Sequence, residues 1–230
     1  MPTKGMWSGS ALLLAAVLSL AAFSSGESAR TVELAGRADA PASRQAKEPV
    51  LAERPTMFAH SVEINFFEDL ATMAATSDLV VLGEVRSVRP GRWVGEEEPK
   101  GRERVRDVTI EIEEVLLNNG SGAAPKTVTV DEWGWDSRGV GFQDENVTWT
   151  KAGDRGYYFL TPVKDAPGHH RLINSQGRAL ISGTELTPSS EEGAPLHEEM
   201  HHLSPKGFEN SLSKAIRDIR AGKVRPQKKP

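Results

Sequence analysis

Residues 197–201 read His-Glu-Glu-Met-His and fit the pattern H-E-x-x-H. On a helix that spacing puts two imidazoles one turn apart on one face, where they can hold zinc, and the intervening glutamate can act as general base on a metal-bound water. His197 and His201 are therefore candidate zinc ligands, Glu209 is a candidate third ligand, and Glu198 is the candidate catalytic residue of a metallohydrolase. The flanks argue for a blander role. Pro195 and Pro205 bracket the segment and leave too few residues for three helical turns. The positions that a longer protease motif fills with glycine and a third histidine hold Ser204 and Gly207. A polar connector ahead of a final helix, holding no cofactor, is the expectation; the zinc hydrolase is the alternative.

A second group of residues points to binding rather than catalysis. Trp133-Gly134-Trp135 lies among Asp131, Glu132 and Asp136, and Phe142 and Trp149 follow. Exposed aromatics beside carboxylates can stack on sugar rings or grip a peptide. Trp133, Trp135, Phe142 and Trp149 are thus the candidate ligand-binding residues, together with the charged loop Pro90–Arg104, which carries Arg92-Trp93. The same tryptophans could instead plug one end of a barrel or seat a terminal helix. The acidic stretch lacks the spaced Asp/Asn-Gly pattern of an EF-hand calcium loop. His169-His170 are strand neighbours, so they point to opposite faces; with His197, His201 and His202 they raise the possibility of a surface zinc or copper site. His60 stands alone and reads as solvated. There is no G-x-S-x-G, no phosphate-cradling GxxxxGK[ST], and no GxGxxG after a strand.

These residues must be positioned by a mainly β body. Leu79–Val88 begins as a continuous apolar run and then alternates, which predicts a strand buried on both faces at its start. Gly83 inside it predicts a bulge or a sharp bend. Val108, Ile110 and Ile112 alternate with Thr109, Glu111 and Glu113 and continue to the turn Asn118-Asn119-Gly120. Shorter strands are expected at Thr127–Val130, Tyr157–Leu160, Leu172-Ile173 and Ala179–Ile181. Five or six strands without alternating helices predict an antiparallel barrel. A helix with Phe66, Phe67, Leu70, Met73 and Ala74 on one face precedes it. A second helix follows, capped by Ser204, started by Pro205 and stopped by Gly222, with Phe208, Leu212, Ala215, Ile216 and Ile219 as its apolar stripe.

The order of three strings carries a resemblance. Ser77–Val85 (SDLVVLGEV), Val108–Leu116 (VTIEIEEVL) and Ala152–Leu160 (AGDRGYYFL) resemble a broad set of secreted bacterial proteins. Their pattern is similar to the OB-type barrel of netrin-like modules and tissue inhibitors of metalloproteinases. The resemblance, which spans Ser77–Leu160, implies an OB-type barrel. Joined to the strands and helices expected above, it gives the expectation of a five- or six-stranded OB-like barrel domain over residues 57–222, with flanking N-terminal and docked C-terminal helices. The inhibitors act through an N-terminal cysteine, and this chain has none, so the barrel is implied and the inhibition is not.

Composition bounds the remaining choices. In 230 residues, Lys+Arg 28 against Asp+Glu 32 gives a net charge of −4, which argues against a nucleic-acid partner. Cys 0 excludes disulfides, thiol catalysis and cysteine zinc sites. Lys4, the apolar run Ala11–Phe23 and the small residues Ser24, Ser25 and Gly26 predict a cleavable signal peptide over residues 1–26. That run is shorter than the roughly 20 residues needed to span a bilayer, and no transmembrane segment is expected. Residues 27–56 read as a disordered linker and 223–230 as a basic tail. The expectation is an exported, soluble, non-catalytic binding module for an extracellular protein, peptide or glycan.

Overall fold

Strand β1, Met57–Ala59, opens a mainly β architecture that is interrupted by one short helix and closed by two more. The computed structural model describes residues 48–59, 66–95, 101–120, 122–144, 147–189 and 192–227. In chain order the elements after β1 are helix α1 (Leu70–Thr76), β2 (Leu79–Val94), β3 (Glu103–Asn118), β4 (Thr127–Asp136), β5 (Phe142–Asp144), β6 (Arg155–Pro162), β7 (His169–Leu172), β8 (Arg178–Ser182), β9 (Glu185–Pro188), α2 (Pro195–His201) and α3 (Pro205–Arg220). The expected signal peptide and most of the expected linker lie in residues 1–47, outside the described residues, as do His60 and the end of the basic tail.

The apolar run at the start of β2 is continuous because both of its faces are covered. Side chains alternate across a strand. Leu79, Val81 and Val85 enter one cluster with Ile110, Val130 and Tyr158. Val80 and Leu82 enter another with Phe67, Met73, Phe159 and Phe208, where the helices pack. Strand β6 divides in the same way, with Tyr158 and Leu160 on the first face and Tyr157 and Phe159 on the second.

The main sheet has seven strands in the order β2-β3-β4-β7-β6-β8-β9, and β2 also pairs with β6 from Leu79–Leu160 to Glu84–Arg155. The sheet therefore curls until its first strand meets its fifth. It is not a clean closed barrel. β8 and β9 extend past the closure, and β4 meets β7 in parallel through only Thr129–His169 and Val130–His170. Gly83 sits at a register shift in the β2–β3 ladder, and a Cβ there would lie 2.6 Å from Glu111 O. Such a bulge bends the strand, as expected for Gly83.

The helix ends follow their side chains. Asp69 Oδ1 accepts from Thr72 N at 2.7 Å to start α1. Ser204 Oγ accepts from Gly207 N at 3.2 Å to start α3, behind Pro205. Gly222 takes φ +70° just past the end of α3, where a left-handed residue releases the chain. Phe208, Leu212, Ala215 and Ile216 are buried, and the Phe208 ring lies 4.5 Å from Tyr157.

Three expectations shift. Nine strands are present among the described residues, not five or six. The additional strands are β1, β5 and β9, and part of the charged loop expected over Pro90–Arg104 is ladder, since β2 runs on to Val94 and β3 begins at Glu103. Pro90 is tolerated there because β2 has left β6 at Glu84 and has become an edge strand. The first helix begins at Leu70, and Phe66 stays exposed. Finally, residues 48–56 are not a loose linker. Ala52 N donates to Gly139 O at 3.0 Å, Thr56 N donates to Gly141 O at 2.8 Å, and Met57–Ala59 pair in parallel with Phe142–Asp144. These are backbone attachments, so the small, scattered side chains of the segment gave no sign of them.

Candidate functional site

The sheet opens where β4 parts from β7. Past Val130, β4 continues against β3, while the chain after Leu172 bends through Ile173–Gly177 into β8. A cleft of about 800 Å³ lies between the two branches. Val108, Ile110, Val130 and Tyr158 form its apolar floor; Trp133 and Arg171 stand on its wall.

Buried charge organises the inner end. Glu132 accepts from Arg106 Nη1, from Thr150 Oγ1 at 2.6 Å and from Arg178 Nη1 at 3.5 Å. Arg106 and Arg178 are 7% and 2% exposed. Arg106 Nη2 also donates to Thr150 O at 2.9 Å, and Arg178 Nη2 donates to Thr148 O at 2.9 Å. Burial pulls the Arg106 guanidinium below its ordinary value; Glu132 pulls it back up, and nearby Arg178 adds to the lowering. Arg178 Nε is buried without a hydrogen-bond partner. Sequence reasoning missed this group. The signal available was parity: Arg106 falls on the same strand face as Val108 and Ile110, so a charge was being turned inward.

The four candidate aromatics separate into two pairs. Trp133 is 49% exposed, with its ring 5.8 Å from Phe142. Trp135 and Trp149 are buried and meet edge to face at 5.4 Å. Trp135 Nε1 donates to Ala52 O at 2.7 Å, and Trp149 Nε1 donates to Phe142 O at 2.9 Å. The Arg106 guanidinium lies 4.3 Å over the Trp149 ring. Trp135 thus clamps the N-terminal segment, Trp149 roofs the buried ion group, and Trp133 faces solvent. Arg92, in the expected charged loop, donates to Asp131 Oδ2 at 3.0 Å and to Asp165 Oδ2 at 3.1 Å.

The His-Glu-Glu-Met-His segment is helical, as α2, but its groups are spent differently from the expectation. Leu196 and Met200 are buried against the helical layer. Glu199 Oε2 accepts from Leu70 N at 3.0 Å, at the start of α1. His201 Nδ1 lies 3.0 Å from His197 O. Glu198, His201 and His202 offer ligand atoms within 4.8 Å of one another, a group that includes neither His197 nor Glu209. Glu209 accepts from Lys206 Nζ at 2.7 Å and from the Tyr157 hydroxyl at 3.3 Å. His169 and His170 do point to opposite faces. His169 Nδ1 shares a hydrogen bond with Asp131 Oδ1 at 2.6 Å, whereas His170 Nδ1 is buried without a partner, and burial lowers its pKa. A second potential ligand group is Asp107, Asp131 and His169; it shares no residue with the first.

No family model, no curated protein and no solved structure matches this chain.

Proposed function

We propose that the chain is an exported, non-catalytic binding module, built on an OB-type barrel, that takes an extracellular peptide, protein loop or glycan at the cleft between β4 and the β7–β8 bend. The leader-like sequence over residues 1–26 supports export. Five strands succeed one another as β2-β3-β4-β7-β6 and return to β2, with β4–β7 as the parallel pair, which supports the OB reading alongside the resemblance over Ser77–Leu160.

The observation that carries the binding reading is the cleft itself. Its volume of about 800 Å³ lies in the range of ligand sites, roughly 300–1,000 Å³, and its floor is apolar. Trp133, half-exposed on its wall, is the kind of anchor that binding surfaces favour. The buried charges beneath are engaged with one another, so the group braces the cleft. No helix among the described residues is long and apolar enough to cross a membrane.

The test uses the dye 1-anilinonaphthalene-8-sulfonate and the full chain at neutral pH. Saturable binding at about one dye per chain, lost in Trp133→Ala with an unchanged circular dichroism spectrum, supports the reading. Binding that ignores Trp133→Ala, or no saturable binding, overturns it.

A further inference from the structure

We infer that Asp107, Asp131 and His169 form a divalent transition-metal site, of zinc or manganese type, on the sheet face beside the cleft. The three residues come from three neighbouring strands. Asp107 on β3 stands opposite Asp131 on β4, and His169 on β7 pairs with Thr129, two residues before Asp131. Rigid strands therefore fix the spacing.

The distances suit an ion. The three residues offer ligand atoms within 4.8 Å of one another, and His169 Nδ1 lies 2.6 Å from Asp131 Oδ1. Around a tetrahedral zinc with bonds of about 2.0–2.2 Å, ligand atoms stand about 3.3–3.6 Å apart. Small side-chain shifts bring these atoms to that spacing. Two carboxylates and one imidazole make a mixed hard and intermediate set that suits zinc or manganese. His169 keeps 27% of its side chain exposed, so the group borders solvent on that side.

A second, independent observation points to the ion. Asp107 Oδ1 is buried and has no hydrogen-bond partner. A buried acceptor left unpaired is costly, and a cation satisfies it. The chain also makes room for this carboxylate: a Cβ at Gly91 would lie 1.9 Å from Asp107 Oδ1. Asp131 is prepared for the same role. Its side chain is only 7% exposed, and Arg92 occupies Oδ2, leaving Oδ1 toward His169. Metal ligands held by such outer partners keep their orientation. Charge agrees. Arg92 donates to both Asp131 and Asp165, while nearby Arg104 is engaged with Gly91 O at 3.1 Å and with Glu48. The cluster keeps a net negative charge that a divalent cation balances.

The test is calorimetric titration of the untagged full chain with Zn²⁺ and Mn²⁺ after chelator treatment. The Glu198, His201 and His202 group is a competing site, so the titration is repeated in a His201→Ala, His202→Ala background. The expected result is one ion per chain in both proteins, weakened about tenfold or more by Asp107→Asn and by His169→Gln. Asp107→Asn nearly preserves shape, and His169→Gln serves should it fail to fold. Substituting Co²⁺ gives a direct reading, a visible ligand-field band lost in His169→Gln. No binding of either ion overturns the site. So does binding abolished in the His201→Ala, His202→Ala protein and indifferent to Asp107→Asn.

Discussion

The side chain of Gln176 holds Phe67 as a neighbouring strand would. Its Oε1 accepts from Phe67 N at 2.7 Å and its Nε2 donates to Phe67 O at 3.0 Å, across 109 residues of chain. Gln176 is fully buried, and Asn174 Nδ2 donates to the same Oε1 at 2.9 Å. This one amide fastens the segment entering α1 to the β7–β8 bend. Gln176→Ala orphans a buried donor and a buried acceptor at once, at about 1–3 kcal/mol each where water cannot replace the amide. Urea denaturation reads the loss directly. A variant within about 0.5 kcal/mol of the wild type would show that water satisfies Phe67.

Arg106 and Arg178 share Glu132, and that sharing predicts an asymmetry. Glu132→Gln leaves two buried guanidiniums facing each other without the carboxylate they share. Breaking a buried pair from one side costs about 3–5 kcal/mol. Arg106→Met removes one cation and leaves Glu132 with Arg178 and Thr150, and methionine keeps an apolar contact to Trp149. The expected order of denaturation midpoints is wild type, then Arg106→Met, then Glu132→Gln. The reverse order for the two variants would mean that the buried carboxylate, not the paired cations, is the strained partner.

How much was legible in the sequence depended on where each signal lay. The doubly covered start of β2 was legible because both faces of the strand are apolar, whereas Tyr157–Leu160 in β6 was legible only as a strand. Helix α3 was legible because Ser204, Pro205, its stripe and Gly222 all agree. The fastening of residues 48–56 was not legible, since what the segment offers is largely main chain: Ala52 N, Ala52 O and Thr56 N. Which tryptophan is buried was not legible either. The β3–β4 register shifts between Arg104 and Arg106, so Arg106 faces Glu132 while Arg104 faces Trp135. Trp133 and Gly134 therefore oppose Val105 alone, and one extra residue reverses which side chains face in. The use of Glu199 to meet the first turn of α1 was hidden for another reason. Its motif is local, but its partner is 129 residues away.

Glu103 stands directly opposite Asp136 in the β3–β4 ladder, two like charges facing each other. Burial pushes the Glu103 carboxyl above its ordinary value of 4.5, and Asp136 pushes it in the same direction. The folded state therefore holds this proton more tightly than the unfolded chain does. The stability it contributes is fully present below pH 4.5 and is lost as pH rises through the higher folded value. A glutamine at this position has no proton to lose. Glu103→Gln is expected to match the wild-type melting temperature in acid and to exceed it increasingly toward pH 7. Melting curves between about pH 4 and 8 check this. A gain that is independent of pH would assign the effect to packing instead.

Trp133 and Trp135 are two residues apart and are expected to respond in opposite ways to the same change. Trp135 is 6% exposed, packs edge to face on Trp149 and donates to Ala52 O. Trp135→Ala opens a cavity and releases the N-terminal segment, and large aromatic truncations in a core cost about 3–5 kcal/mol. Trp133 is 49% exposed and loses mainly its contact with Phe142, so Trp133→Ala is expected within about 0.5 kcal/mol of the wild type. Guanidinium denaturation followed by far-ultraviolet circular dichroism avoids the tryptophan signal that each variant removes. If both variants retain wild-type midpoints, Trp135 is not the clamp on residues 48–56. If both unfold, Trp133 belongs to the core, and the cleft loses the anchor on which the binding reading depends.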